Sequence, residues 1–488
     1  MKVSFTSTIF QWMLCAAVGN SHPATSSSEK LESLVTQESL LSDLKEFDRI
    51  ASENGGNRAF GSPGYTASVN YVKSRLDKSD RWKSWTQDFE YPLARAKTLT
   101  LTINGKIYKD LELVYSFEET PAEGTTAPVV LFEGGGPGVC EHPDIKNVDV
   151  KDKFILFRAV NCHNPGKGSA YDRAFGKYTD ALGIIFYNDN YEPLDVTKRD
   201  LHALGNVKRS DDKIPPNAVS VRRADGLELA ARLNAGEELT ASLVVTNYQY
   251  KNTTSQNIIA ETKAGDPSKV IVLGAHLDSG EFSPGINDNA RGAALLLALF
   301  DAINEGRFRP KNKIRFAWWG KGQNYRLAGS GHYVQSLTKK EVDSILLYLN
   351  FDMVSRGLFG VYDGDGSRYG YYGYPGSEII EKLFVDYFTS KGHSVRPVHW
   401  HGDSDYVRFM MGGKFGIIKP AGGLHGGDAV PQDECWQEAC DNFSNANVTH
   451  LEINTKAAAH VLYILSQTYK EIIPAIPYNQ TAAMMAGY

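Results

Sequence analysis

Apolar strands and amphipathic helices alternate along the second half of the chain, and this alternation limits its fold more than any other feature. Strands are predicted at residues 270–274, 313–318 and 345–351, and helices at about 290–303 and near 337–345. Consecutive parallel strands need a crossover connection, which is usually a helix. The sequence therefore predicts an α/β fold with a mostly parallel, mixed sheet flanked by helices on both faces.

The first half of the chain has a different pattern. Apolar residues recur at helical spacing over 31–51 and 67–76, whereas residues 98–102 alternate as a strand before the hairpin dipeptide Asn104-Gly105. Short apolar strands with Gly/Pro-rich turns follow at residues 129–132, 154–157 and 183–187. We therefore predict five segments: a leader at 1–20, the first part of the α/β domain at 21–113, a β-rich insert at 114–247, the α/β domain with the functional site at 248–470, and a tail at 471–488.

Composition and charge narrow the possible partners. With 488 residues, of which 42% are hydrophobic, the chain can bury one large core or two smaller ones. A net charge of -5 without a Lys/Arg-rich run gives no electrostatic footprint for a phosphate backbone, so we expect no nucleic-acid partner. Residues 8–18 follow Lys2 as a short apolar stretch of signal-peptide shape, and no later run is long enough for a transmembrane segment. A secreted protein, or one in the lumen of a secretory or vacuolar compartment, is predicted.

The cysteines and glycosylation sequons agree with that compartment. Of the five cysteines, Cys15 would leave with the leader, and the grouping of the others favours the pairs Cys140–Cys162 and Cys435–Cys440, although sequence alone does not fix the connectivity. Asn-X-Ser/Thr sequons predict glycosylation at Asn252, Asn442, Asn447 and Asn479. Such tripeptides also occur by chance, and their agreement with the leader and the cysteine parity makes them informative.

Three polar groups fall where ligands of an open parallel sheet bind, beyond the carboxyl ends of the strands. His276 and Asp278 follow the first predicted strand, Asp288 starts the next helix, and Asp352 ends the strand at 345–351. One imidazole with two carboxylates suits zinc. Asp278 is placed to orient His276 by bonding to the ring nitrogen that does not bind the metal. The alternative is that His276, Asp288 and Asp352 are structural polar residues that hold no metal.

These residues also carry a resemblance to a known family. The segments that match are residues 54–65, 274–297, 315–320, 349–353, 404–406 and 435–441. In these segments the chain resembles the two-zinc aminopeptidases that include aminopeptidase Y and the secreted leucine aminopeptidases. The resemblance implies a zinc-aminopeptidase fold that releases N-terminal residues from peptides, and it implies that the insert at 114–247 is a protease-associated domain beside the groove.

The resemblance also assigns roles to the metal ligands. His276 and Asp352 would bind one zinc, and Asp288 would bridge two. The second zinc would take a Glu after the Trp-Trp-Gly strand and a His between the paired cysteines, and the general-base Glu would directly precede the ligand Glu.

This chain departs from that pattern at the second zinc and at the base. Gly322 stands at the general-base position, Gln323 at the ligand-Glu position, and Gln437, after Trp436, at the ligand-His position. The retained carboxylates supply two negative charges, which balance one divalent zinc. We therefore expect one zinc ion and not two.

Loss of a positioned general base costs about 10²–10⁴-fold in rate, so the leading hypothesis is a pseudopeptidase that binds peptides or a protein partner, or a much weakened peptidase. Three alternatives remain: a working metallo-aminopeptidase with displaced groups, a single-zinc acyl-transfer or cyclisation enzyme such as the related glutaminyl cyclases, and a decaying copy without a role. The displaced groups would come from His399, His401, Asp403, His425, Asp428 and Glu438.

Overall fold

The structure is a computed structural model. It describes residues 28–108, 111–115, 119–132, 148–159, 180–188, 217–323, 327–355, 359–370, 373–400, 402–411, 419–426, 433 and 435–473. The predicted leader, Cys140, Cys162, Asn479, His401 and Asp428 lie outside these residues.

Helices of the described residues are α1 (Ser28–Leu34), α2 (Gln37–Glu53), α3 (Pro63–Leu76), α4 (Arg223–Asn234), α5 (Arg291–Glu305), α6 (Ala328–Ser336), α7 (Lys339–Ser344), α8 (Ser377–Ser390), α9 (Tyr406–Met411) and α10 (Val448–Ile472). The strands are β1 (Trp82–Arg95), β2 (Thr98–Ile103), β3 (Lys106–Tyr108), β4 (Glu112–Tyr115), β5 (Thr125–Phe132), β6 (Phe154–Ala159), β7 (Gly183–Asn188), β8 (Asn217–Ser220), β9 (Thr240–Thr246), β10 (Gln249–Thr262), β11 (Asp266–His276), β12 (Asn312–Trp319), β13 (Ile345–Asp352), β14 (Phe359–Tyr362), β15 (Val395–Val398) and β16 (Ala421–His425).

The first sheet has the order β1-β10-β12-β11-β13-β16-β14-β15. Its four central strands, β12, β11, β13 and β16, are parallel, whereas β1 and β10 run antiparallel at one edge. Helices pack on both faces, with α5 against one and α7 and α9 against the other. The predicted mixed α/β fold is confirmed.

The helix predicted near 337–345 is present as α7, and it begins two residues later because Leu337 and Thr338 are extended. Thr338 instead caps α7 in a capping box with Glu341, while α6 ends at Ser336. The preceding helix α6 was not predicted from the sequence.

Two adjacent tryptophans on β12 divide the core. Trp318 and Trp319 are both fully buried, and because strand side chains alternate they face opposite sides of the sheet. Trp318 donates its indole hydrogen bond to the carbonyl oxygen of Ala293 on α5, at 3.1 Å, whereas Trp319 donates to the hydroxyl of Tyr348, at 2.9 Å. Trp318 thus joins α5 to the sheet, whereas Trp319 joins β12 to β13 and packs its ring against Tyr333 of α6 and Phe409 of α9.

The second sheet has the order β3-β2-β9-β5-β6-β7-β8-β4 and packs against α4 with a core of its own. The chain leaves the first sheet through β1 and returns through β10, and these two strands pair along their whole length. Strands β2 and β3 belong to the second sheet although they precede residue 114, so this sheet begins before the boundary predicted for the insert. The assignment of the second sheet as a protease-associated domain stays a prediction.

Replacement of Trp318 tests the role of this buried layer. We expect Trp318→Ala to lower the free energy of unfolding by about 3–5 kcal/mol, because the cavity under α5 cannot collapse fully. Urea denaturation measures the change. Met411→Ala, at a side chain that is 66% exposed, is the control and should stay within about 0.5 kcal/mol of the parent. Equal losses in the two variants would contradict this account of the core.

Candidate metal centre

Parallel strand pairing brings the candidate ligands together. His276 ends β11 and Asp352 ends β13, and these strands are hydrogen-bonded neighbours in parallel register. Asp288 arrives from the turn Ile286–Ala290, between β11 and α5. His276 Nε2 lies 3.1 Å from Asp288 Oδ1 and 3.5 Å from Asp352 Oδ1, and all three residues are buried. The three candidate ligands therefore converge on one point at the carboxyl edge of the sheet.

The hydrogen bonds around this cluster leave one ligand atom of each residue facing the centre. Asp352 Oδ2 accepts from Ser404 Oγ at 2.7 Å, whereas its buried Oδ1 has no hydrogen-bond partner among the described residues. His276 Nδ1 lies 3.0 Å from the carbonyl oxygen of Asp278, which can only accept, so Nδ1 carries a proton and Nε2 is the nitrogen that could bind a metal ion. Because an orphaned buried carboxylate oxygen is costly, this donor set fits a divalent cation.

Electrostatics give the same result. Burial opposes a charge on His276, but the carboxylates of Asp352, Asp278 and Asp288 outweigh it and raise the pKa of His276 well above its usual range. Burial also opposes ionisation of Asp352, yet the neighbouring imidazoles of His276 and His425 lower its pKa to about 2. The buried carboxylates therefore require a positive partner, which either a proton or a metal ion can supply.

Asp278 contacts both His276 and the turn after β12. Its Oδ1 lies 3.5 Å from His276 Nδ1, and its two carboxylate oxygens accept the backbone N–H groups of Gly322 at 2.8 Å and Gln323 at 3.2 Å. Asp278 thereby orients the imidazole through its own carbonyl group and fixes the turn through its carboxylate.

Gly322 leaves no room for a side chain in this turn. A Cβ atom built there would lie 2.3 Å from the Cβ and 2.5 Å from the Cγ of His276. A glutamate at this position would therefore displace the imidazole unless the turn moved.

The two glutamines lie together beside Asp288. Gln437 Nε2 donates to Gln323 Oε1 at 3.3 Å, and Gln323 Nε2 donates to the main-chain oxygen of Asp288 at 3.2 Å. Trp436 Nε1 donates to Asp288 Oδ2 at 2.7 Å. Gln437 and Trp436 belong to a short loop closed by the disulfide Cys435–Cys440, whose Cα atoms are 5.1 Å apart. The amides and the indole are neutral groups, and the indole bonds to Asp288 Oδ2 whereas Oδ1 faces His276.

The candidate replacement groups do not join the cluster. Among the described residues, the ligand atoms that lie within 4.8 Å of one another at this site belong to His276, Asp288 and Asp352. Four of the residues considered as displaced groups are described and are not members: His399, Asp403, His425 and Glu438.

Arg58 organises the loops that carry the site, and sequence reasoning missed it. Its guanidinium is fully buried and donates to three carbonyl oxygens after β11, those of Leu277, Pro284 and Gly285. Burial lowers the pKa of Arg58 to about 10, so the group stays charged at neutral pH. Arg58 follows the turn residues Gly55, Gly56 and Asn57. A sequence of this kind does not indicate that the arginine side chain is buried.

Asp441 supports the loop from the other side. Its carboxylate accepts the backbone N–H groups of Asn287 at 2.7 Å and Asp288 at 3.2 Å. Burial raises the pKa of Asp441 to about 6. Asp441 directly follows Cys440, so the disulfide loop and the Asp288 turn are held as one unit.

The chain is thus an α/β protein with one histidine and two aspartates buried together at the carboxyl edge of its parallel strands. These side chains are of the types that bind metal ions in proteins. The chain is 34% identical to an aminopeptidase of Pseudomonas aeruginosa over 452 residues, 88% of this chain and 81% of the relative. It is 31% identical to leucine aminopeptidase 2 of Arthroderma otae over 417 residues, 83% of this chain and 79% of the relative. The solved structure of a zinc aminopeptidase from Bacillus subtilis shares the fold with a TM-score of 0.63 at 20% identity, covering 89% of this chain and 96% of that one.

The model of peptidase family M28 matches residues 257–462, which contain the whole candidate cluster. The chain belongs to peptidase family M28. The predicted resemblance to the aminopeptidases is confirmed at this level.

Replacement of Arg58 tests its role in the site. Arg58→Met should lower the free energy of unfolding by at least about 3 kcal/mol, because three buried carbonyl groups lose their donor. Arg49→Met is the control. Arg49 is exposed on α2 and paired with Glu46 and Glu53, so its loss should change stability by about 0.5 kcal/mol or less. Denaturant titration of both variants distinguishes the two environments, and an Arg58 effect no larger than that of Arg49 would contradict the assigned role.

Proposed function

We propose that this chain is a single-zinc member of family M28 that binds peptides or a protein partner in its groove with little or no hydrolysis. One observation carries the proposal: the His276, Asp288 and Asp352 set is complete, whereas Gln323 and Gln437 put a hydrogen-bonded pair of neutral amides beside it. Neutral amides do not compensate the charge of a second zinc. The relatives' names support the peptide part of the proposal.

The residues fit zinc in its usual coordination. His276 Nε2, Asp288 Oδ1 and Asp352 Oδ1 would be the three protein ligands of the ion. A bound zinc supplies a Lewis acid that polarises a carbonyl or holds an amine. The main-chain carbonyl group of Asp278 fixes the tautomer of the His276 imidazole. Gln323 and Gln437 place neutral amides at the positions where a second zinc would need a carboxylate and an imidazole.

Weak hydrolysis follows from the turn after β12. Gly322 has no side chain that could act as an acid or a base, and His276 occupies the space that a side chain at position 322 would need. General acid-base catalysis requires a positioned group within hydrogen-bond reach of the reacting water. Among the residues that the structure describes, the ligand atoms grouped at this site belong to His276, Asp288 and Asp352, and the position predicted for the base is a glycine.

Secretion is part of the proposal. Asn252 and Asn447 are exposed, and the side-chain oxygens of Asn442 and Asn447 cap the turns that follow them. These exposed positions support N-glycosylation at sequons in a secretory compartment. Within the described part of the chain, every helix is too short or too polar to cross a bilayer.

Metal analysis tests the single-zinc proposal. Purified protein dialysed against zinc should hold close to one ion per chain by elemental analysis, and Asp352→Asn should lose most of it because a ligand charge is removed. Asp343→Asn, at an exposed carboxylate on α7, is the matched control and should retain the metal. Two ions per chain, or none, would contradict the proposal.

An activity assay tests the hydrolysis claim. We expect negligible release of leucine from chromogenic amides, and Gly322→Glu should restore little because its side chain collides with His276 and the amides remain. The same variant should bind zinc more weakly than the parent protein. Robust leucine release that a chelator abolishes would establish a working aminopeptidase and rule out the pseudopeptidase.

A further inference from the structure

The two carboxylate oxygens of Asp288 have different partners. Oδ1 lies 3.1 Å from His276 Nε2, inside the candidate metal cluster. Oδ2 accepts a hydrogen bond from the indole Nε1 of Trp436 at 2.7 Å. The indole N–H can donate but has no lone pair for a metal. Oδ1 is therefore the oxygen of Asp288 that faces His276 in the cluster.

The groups around Trp436 strengthen this division. Gln323 donates to the main-chain oxygen of Asp288 and Gln437 donates to Gln323, so the two amides lie beside the aspartate and are bonded to each other. A cation bound between Asp288 Oδ2 and the two glutamines would compete with the indole hydrogen bond and with the amide pair. It would gain two neutral amide oxygens, which are weak zinc ligands.

The loop that carries Trp436 is braced at both ends and at its middle. The disulfide Cys435–Cys440 closes it, and Glu438 lies against the start of α4, with Oε2 at 3.9 Å from Arg222 Nε. The backbone N–H of Arg223 also bonds to the Glu438 carboxylate. The second sheet, through α4, therefore helps to hold the indole over Asp288.

We propose that Trp436 is a positioning residue that takes the place of a second cation at Asp288. It neutralises part of the charge on Oδ2, turns Oδ1 toward the single metal, and keeps a further ion out. This inference rests on the proposed single-zinc function and adds to it the residue that enforces the stoichiometry.

Zinc affinity tests the positioning role. Trp436→Phe should weaken zinc binding by about 10–100-fold, as loss of a hydrogen bond to a metal ligand generally does. Competition with a chelating dye measures the affinity, and circular dichroism verifies that the variant is folded. Trp400→Phe is the matched control, because the Trp400 indole makes a similar bond at 2.7 Å to the carbonyl oxygen of Asp363, which is not a member of the cluster. If the Trp436→Phe variant binds zinc as tightly as the Trp400→Phe variant does, the proposal is wrong.

Metal stoichiometry tests the exclusion. Gln323→Glu with Gln437→His adds a carboxylate and an imidazole beside Asp288, and we expect this double variant to hold one zinc while Trp436 is present. Adding Trp436→Phe should raise the count to two. A second ion in the double variant, or one ion in the triple variant, would overturn the exclusion. A parent protein with two ions or none would defeat the single-zinc function itself, which separates the two failures.

Discussion

The parallel pairing of β11 with β13 is the constraint on which the site depends. It sets the ends of the two strands side by side, so that His276 and Asp352 meet without any loop having to position them. Asp288 completes the group from a turn that Arg58 and Asp441 hold through backbone hydrogen bonds. The buried negative charge of the two aspartates then makes a cation the natural partner of the fold.

Charge explains why the site divides into two unequal halves. The carboxylate oxygen Oδ1 of Asp288 faces the His276 imidazole and the Asp352 carboxylate, whose buried Oδ1 has no hydrogen-bond partner among the described residues. Such an environment suits a metal ion. The other carboxylate oxygen, Oδ2, accepts from the neutral Trp436 indole, and the amides of Gln323 and Gln437 are bonded to each other next to the main-chain oxygen of Asp288. The same aspartate thus belongs to an ionic and to a neutral environment, and its two oxygens are not interchangeable.

Periodicity and strand-end logic were sufficient for the sheet and for the candidate ligands. The alternation around 270–351 predicts β11, β12 and β13, and polar residues at strand ends identify His276 and Asp352. The sequence could not show contacts between distant segments. Arg58 lies in a segment rich in turn residues, which does not indicate that its side chain is buried. The hydrogen bond from Trp436 to Asp288 joins residues that are far apart in the chain. The strand at 98–102 was predicted, but its place in the second sheet was not, because β2 pairs with β9, which is far away in the sequence.

A crystal structure of the zinc-loaded protein, with anomalous diffraction recorded at the zinc edge, tests the central claim most directly. The account predicts one anomalous peak per chain, bound by His276, Asp288 and Asp352, with the Trp436 indole still bonded to Asp288 Oδ2. A second peak between Asp288 and the two glutamines, with the indole displaced, would contradict it.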